Sequence, residues 1–143
     1  MNIEPGFQIS EDKSLLQVEV IQRMLNKTYW GKGRTVDEIQ KTIANSRCYG
    51  VYLKGEQIGF ARVLTDEVAM AYLSDMLIDD RFQGQGIGQQ LLDYIFNDKP
   101  YQHVQRWILR TLDAHSLYEK FGFTAPEKPE VYMEKVFKPW SGN

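Results

Sequence analysis

The chain has no cysteine pair, no long apolar run, no excess of basic charge and no low-complexity stretch. Cys48 is the only cysteine in 143 residues. An internal disulfide is therefore excluded, and a reducing compartment is expected. No apolar run approaches the roughly 20 residues that a membrane-spanning helix needs. The opening Asn2-Ile3-Glu4-Pro5 does not begin a secretory signal. The expected location is the cytoplasm, with no membrane partner. A net charge of −2 and a pI near 5.7 give no electrostatic footprint for nucleic acid. There is no internal repeat. What remains is an ordinary globular composition, 43% hydrophobic and 25% charged, in a length that suits one domain over residues 1–143.

Sequence patterning predicts the elements. Gly6-Phe7-Gln8-Ile9 reads as a short strand. A helix over about Asp12–Asn26 follows from the recurrence of Leu15, Val18 and Leu25 with neighbouring apolar residues. Thr35-Val36-Asp37-Glu38 has the form of a capping box, which predicts a second helix to about Ser46. Cys48–Leu53 and Gln57–Leu64 are β-branched and aromatic, and Lys54-Gly55-Glu56 between them makes a hairpin. Met70–Ile78 is apolar enough to lie inside a sheet, apart from Ser74 and Asp75. Beyond it the pattern predicts a loop to Gly88, a helix to about Asn97, a strand near Arg106–Leu109, a helix to about Phe121 and a last strand near Val131–Phe137. Hairpins first and β-α-β units second imply an α/β class with a mixed sheet.

The most informative segment is Arg81-Phe82-Gln83-Gly84-Gln85-Gly86-Ile87-Gly88, set between a buried strand and a helix. Alternating glycines let successive main-chain amides turn toward one point, and the first turn of the helix adds unpaired N–H groups with partial positive charge. This is a candidate phosphate cradle. The same glycines can equally serve a tight turn. A nucleoside triphosphate loop requires a lysine after its glycines, and none follows here. The dinucleotide fingerprint requires glycine where Gln89 stands.

These residues resemble the GNAT superfamily of acyl-CoA N-acyltransferases. Its phosphate-binding pattern, Gln/Arg-x-x-Gly-x-Gly/Ala, is matched by Gln83-Gly84-Gln85-Gly86-Ile87-Gly88. A second signature, a tyrosine-bearing helix ending in Gly-Phe, is matched by Leu117-Tyr118-Glu119-Lys120-Phe121-Gly122-Phe123. The two occur in the expected order, and the likeness covers roughly Cys48–Phe123. The resemblance implies a mainly antiparallel mixed central sheet of six to seven strands, helices on both faces and a splayed central strand pair. It implies acetyl-CoA as acyl donor, with no metal, and a small-molecule amine as acceptor. Met76, Leu77 and Ile78 would pair with the pantetheine arm, and the amides from Gln83 to Gly88 would hold the pyrophosphate. Tyr118 would protonate the departing thiolate. Many relatives carry asparagine at the place of Thr111, where it contacts the cofactor; threonine here leaves that contact open. A homodimer is consistent with related small domains.

The chemistry sets further requirements. An alkyl ammonium titrates about three units above neutral pH, so forming the free amine costs roughly 4 kcal/mol. Asp75 is the candidate proton acceptor or cation anchor, because a carboxylate inside an apolar strand needs a partner or a cavity. A bond to a backbone amide, or to an arginine such as Arg62 or Arg110, is the alternative role. His115, three residues before Tyr118, can join a proton path or simply cap its helix. His103 reads as surface loop and Cys48 as a core residue. Tyr29 and Trp30 are candidate acceptor contacts, with packing as the alternative. A different class stays open as well: a CoA-responsive sensor or subunit with the donor site but no acceptor of its own.

Overall fold

The structure is a computed structural model that describes residues 6–137, 139 and 140. Residues 6–109 together with Trp140 make one compact unit, and residues 110–139 make a second. The first unit holds a five-stranded sheet in the order β1 (Phe7–Ser10), β2 (Arg47–Leu53), β3 (Glu56–Thr65), β4 (Met70–Ile78), β5 (Arg106–Ile108). The first three pairings are antiparallel and the fourth is parallel. The mixed, mainly antiparallel sheet follows expectation, but the count is five rather than six to seven. Residues 131–137 form no strand. Val131 closes a short 3-10 turn, and Met133 and Phe137 stay 96% and 86% exposed. Val131, Tyr132, Val136 and Phe137 supply β propensity there, yet a strand also needs a neighbouring edge to bond, and its unit provides none among the described residues.

Helices cover both faces. Helix α1 spans Val18–Leu25, shorter than the pattern suggested. A 3-10 turn over Lys13–Leu15, capped by the Asp12 side chain, takes the place of its first residues. The start of α1 is tied to the sheet by a reciprocal amide pair. The Gln17 N–H donates to the Gln57 side chain at 2.7 Å, and the Gln57 N–H donates to the Gln17 side chain at 3.1 Å. Helix α2 (Val36–Ala44) begins at the expected capping box, with Thr35 and Glu38 each bonding the other's main-chain N–H. Ile21, Met24 and Leu25 of α1 and Ile39 of α2 pack on Cys48, Phe60 and Leu77 of the sheet. Helix α3 (Ile87–Phe96) lies on the opposite face, where the Tyr94 ring meets the Tyr49 ring edge-on at 5.9 Å. No helix among the described residues is long and apolar enough to cross a membrane.

One irregularity in β4 decides what each of its side chains faces. Arg62 pairs with Ser74 and Phe60 with Leu77, so the single residue Ala61 stands opposite both Asp75 and Met76. That extra residue is a β-bulge, and it puts Asp75 at φ +51°, a left-handed conformation that aspartate tolerates better than most side chains. Leu77 therefore joins the α1 and α2 core. Met76 faces the other way, where a Cβ on Gly88 of α3 would stand 3.5 Å from its methyl.

The second unit carries helix α4 (His115–Glu119). Gly122, at φ +92°, turns the chain after it, and the Phe123 amide returns to the Tyr118 carbonyl at 3.3 Å.

Ile21 is fully buried, so Ile21→Ala is expected to lower the unfolding free energy by about 2–5 kcal/mol in a urea titration. Met133→Ala should change it by about 0.5 kcal/mol or less.

Candidate active site

The glycine loop has the open form that an anion cradle requires. Gly84 and Gly86 adopt φ +80° and +79°, and a Cβ on either would project into empty space. Gln83 through Gly86 are exposed. Gly86 is the left-handed N-cap of α3, and the first bond of that helix runs from the Gln90 N–H to the Gly86 carbonyl at 3.1 Å. Among the described residues, no acceptor is recorded for the main-chain N–H groups of Gly84, Gln85, Gly86, Ile87 and Gly88. A row of unpaired amides at a helix start, with no side chain in front of it, fits a diphosphate. Ile87 is buried and anchors the helix, so it can offer only its main chain.

The loop is braced from both ends. The Asp79 N–H donates to the Ile58 carbonyl at 2.8 Å, and the Asp79 carboxylate accepts from the main chain and guanidinium of Arg81. The Arg81 hydrogen bonds hold Asp79 below the usual carboxylate range. The Gln83 side-chain amide donates to the Ile78 carbonyl at 3.1 Å, so the first residue of the motif is fastened to the end of β4.

That end of β4 is an open edge. Pairing with β5 covers only Met70–Tyr72, and from Leu73 to Ile78 no β5 partner is present among the described residues. Met76, Leu77 and Ile78 line a cleft of about 140 Å³ with Gln83, Trp30 and the end of α1. The strand residues and the loop residue named from the sequence are thus brought to one cavity. Arg23 and Lys27 also line it. Sequence patterning missed them because exposed cations on an amphipathic helix, as Arg23, or in the turn after it, as Lys27, are unremarkable.

Asp75 has a different place from that of a free base. Its Oδ2 accepts from Arg34 Nη1 at 2.5 Å and from Arg62 Nε at 2.6 Å, while Oδ1 accepts from the Trp30 indole at 3.1 Å. Arg34 and Arg62 are themselves buried. Burial by itself raises a carboxyl pKa, but the hydrogen bonds and charges of the two arginines outweigh it and hold Asp75 below its ordinary value. A carboxylate held in this way is a weak proton acceptor. Its partners are Arg62, one of those considered, and Arg34, which sequence reasoning missed; Arg110 lies in the other unit. Trp30 is thereby fixed at the cleft by its indole N–H, and Tyr29, exposed beside it, stacks edge-on at 5.1 Å.

In the second unit Tyr118 is buried, with the Phe123 ring edge-on at 6.1 Å. Burial, with the nearby Asp113 charge, pushes its phenol up to about 12. The Thr111 hydroxyl accepts from the Ala114 N–H at 3.0 Å and caps the turn into α4. His115 is exposed at the first position of that helix. Cys48 is buried in the core, and burial raises its thiol pKa. No group of three or more His, Cys, Asp or Glu among the described residues is placed to hold a metal.

Removing the Asp75 charge leaves two buried guanidinium groups without their anion. Asp75→Asn is expected to cost about 3–5 kcal/mol at pH 7. Because the folded pKa lies below the unfolded one, the native carboxylate stabilises fully above the ordinary value of 3.8 and loses that contribution as pH falls further. Melting curves of both proteins should therefore converge as pH drops below about 4.

Residues 44–125 match the acetyltransferase (GNAT) domain. A candidate acetyltransferase assigned to the GNAT family from Xanthomonas campestris pv. campestris, known as a crystal structure, is 36% identical and has a TM-score of 0.89, covering 93% of this chain and 94% of that one. A protein of Gibberella zeae named as a candidate acetyltransferase is 29% identical over 136 residues, 80% of this chain and 76% of its own length. Glucosamine-6-phosphate N-acetyltransferase from Arabidopsis thaliana, at 16% identity, shares the fold with a TM-score of 0.65, covering 92% of this chain and 99% of that one. The matched domain spans more than half of the sequence and contains both the open glycine loop and the tyrosine-bearing helix, and the chain belongs to the GNAT acetyltransferase family.

Proposed function

We propose that this protein transfers an acetyl group from acetyl-CoA to the amine of a small molecule, by direct attack while both substrates are bound. The observation that carries this reading is the row of unpaired amides from Gly84 to Gly88 beside the open edge of β4. Acetyl-CoA supplies an activated acyl group as a thioester, so no covalent enzyme intermediate is needed. The loop amides bind the diphosphate, and the main chain of Met76, Leu77 and Ile78 pairs with the pantetheine arm in the manner of an added strand. Thr111 is assigned the lesser task of shaping the turn before α4.

Tyr118 is assigned the acid role through the second family motif. A phenol raised to about 12 is protonated throughout the neutral range, which is the form needed to donate a hydrogen bond to sulfur as it leaves. A thiol ordinarily titrates near 8.5, so the phenol acts chiefly by stabilising developing negative charge. Asp75 is assigned a positioning role: its two arginines keep it ionised, and its other oxygen holds Trp30 at the mouth of the cleft. Trp30 and Tyr29 then offer aromatic surface to the acceptor.

The reading is tested by following free thiol when acetyl-CoA is mixed with a panel of primary amines; binding of acetyl-CoA without thiol release by any amine would overturn it. Tyr118→Phe is expected to lower kcat by about 100-fold or more with little change in acetyl-CoA affinity. Gly86→Ala adds a side chain at φ +79° in front of the amides, a strain of roughly 1–2 kcal/mol. It should weaken acetyl-CoA binding about tenfold in a titration.

A further inference from the structure

Around Asp75 the donors outnumber the acceptors. Two buried guanidinium groups share a single carboxylate oxygen, and no other carboxylate forms an ion pair with either among the described residues. Among the described residues the cluster thus carries one unmatched positive charge. Burying a charge without a partner is costly, and chains as a rule pair it. Arg34 Nε shows the same shortage: it is sealed from solvent and has no acceptor.

The two arginines differ in what they have left to offer. Arg34 bonds Asp75 through Nη1 and lies over the Trp140 ring at 4.2 Å, and the Trp140 indole in turn donates to the Trp30 carbonyl at 2.8 Å. The ring face partly offsets the Arg34 charge and covers it. Arg62 is held by Asp75 only through Nε, 2.6 Å away. Its two terminal nitrogens have no acceptor among the described residues, and unlike Arg34 Nε they are not sealed from solvent. A guanidinium fixed at Nε presents its terminal pair as a planar fork, the geometry that takes a carboxylate or phosphate through two parallel bonds. The fork belongs to a cluster whose outer member, Trp30, lines the cleft with Met76 and Leu77.

We propose that Arg62, seated on Asp75 and backed by Arg34, is a recognition site for an anionic group, a carboxylate or phosphate, on the amine acceptor. This rests on the transferase reading and narrows its substrate class. A bound anion supplies the missing negative charge, so the cluster becomes two cations matched by two anions. An acceptor bearing only amines would add to the excess charge instead.

The test is a binding comparison read apart from turnover. With CoA present, 4-aminobutyrate is titrated against butylamine, and phosphoethanolamine against ethanolamine, by calorimetry. The anionic member of at least one pair is expected to bind about tenfold more tightly or better. The pair that shows the difference identifies the anion as carboxylate or phosphate. In Arg62→Gln the difference should vanish while CoA affinity is kept, since Asp75 retains Arg34 as partner. Ser74 lies opposite Arg62 in the β3–β4 register. Ser74→Asp thus places an internal anion beside the fork, and it should remove the preference with Arg62 still present. Equal binding within both pairs, or a preference that survives in both variants, would overturn the proposal. Thiol release is measured alongside: its absence with every amine counts against the transferase reading, and the binding preference still decides the anion site.

Discussion

A single carboxylate, Asp75, fastens three segments of the first unit to one another. It stands on β4 at a bulge, takes Arg62 from β3 and Arg34 from the segment before α2, and holds the Trp30 indole between them. Each contact is a charge-assisted or polar bond inside a region with little water, where removal of the common partner leaves the others uncompensated. The other ties of the loop between α1 and α2 include its own turns, the Lys27–Asp80 ion pair and the Trp140 indole on the Trp30 carbonyl. With Asp75 in place, the aromatic face of that loop has a fixed position at the cleft.

The same bulge sorts the side chains around the proposed donor site. One extra residue in β4 sends Leu77 into the helical core and Met76 toward α3, so one strand end serves packing and cleft at once. The strand edge beyond Tyr72 stays unpaired, which would be a liability in a sheet with nothing to cover it. Under the proposed function, such an edge is the place for the extended pantetheine arm. The glycine loop follows the same logic: positive φ at Gly84 and Gly86 exposes amides that a regular helix start would leave to water.

The arginine cluster is joined to the cleft through Trp30, whose indole bonds Asp75. A positioning carboxylate with one cation would be a closed ion pair, with nothing left to offer. With two cations it keeps an excess of charge next to the aromatic loop, and the proposed preference for an anionic acceptor rests on those electrostatics. The segment that supplies Arg34 and Trp30 precedes the matched domain at residue 44, whereas Asp75 and Arg62 lie within it.

Much of this protein was legible in its amino-acid order because local rules govern it. The Thr35–Glu38 capping box, the hairpin through Gly55, the limits of β4 and the glycine loop opening α3 all depend on residues within a few positions of one another. The glycine loop and the tyrosine-bearing helix could thus be named, and with them the family. Tertiary structure alone decided the rest. Arg34 and Asp75 are 41 residues apart, and no periodicity signals that they meet. The segment 131–137 has the β-branched and aromatic residues of a strand, yet a strand exists only where another edge bonds to it, and that is not written in the segment itself. Propensity and turns act over a few residues and can be read along the chain. The pairing of buried charges and of sheet edges acts across space, and it is fixed only when the whole chain has folded.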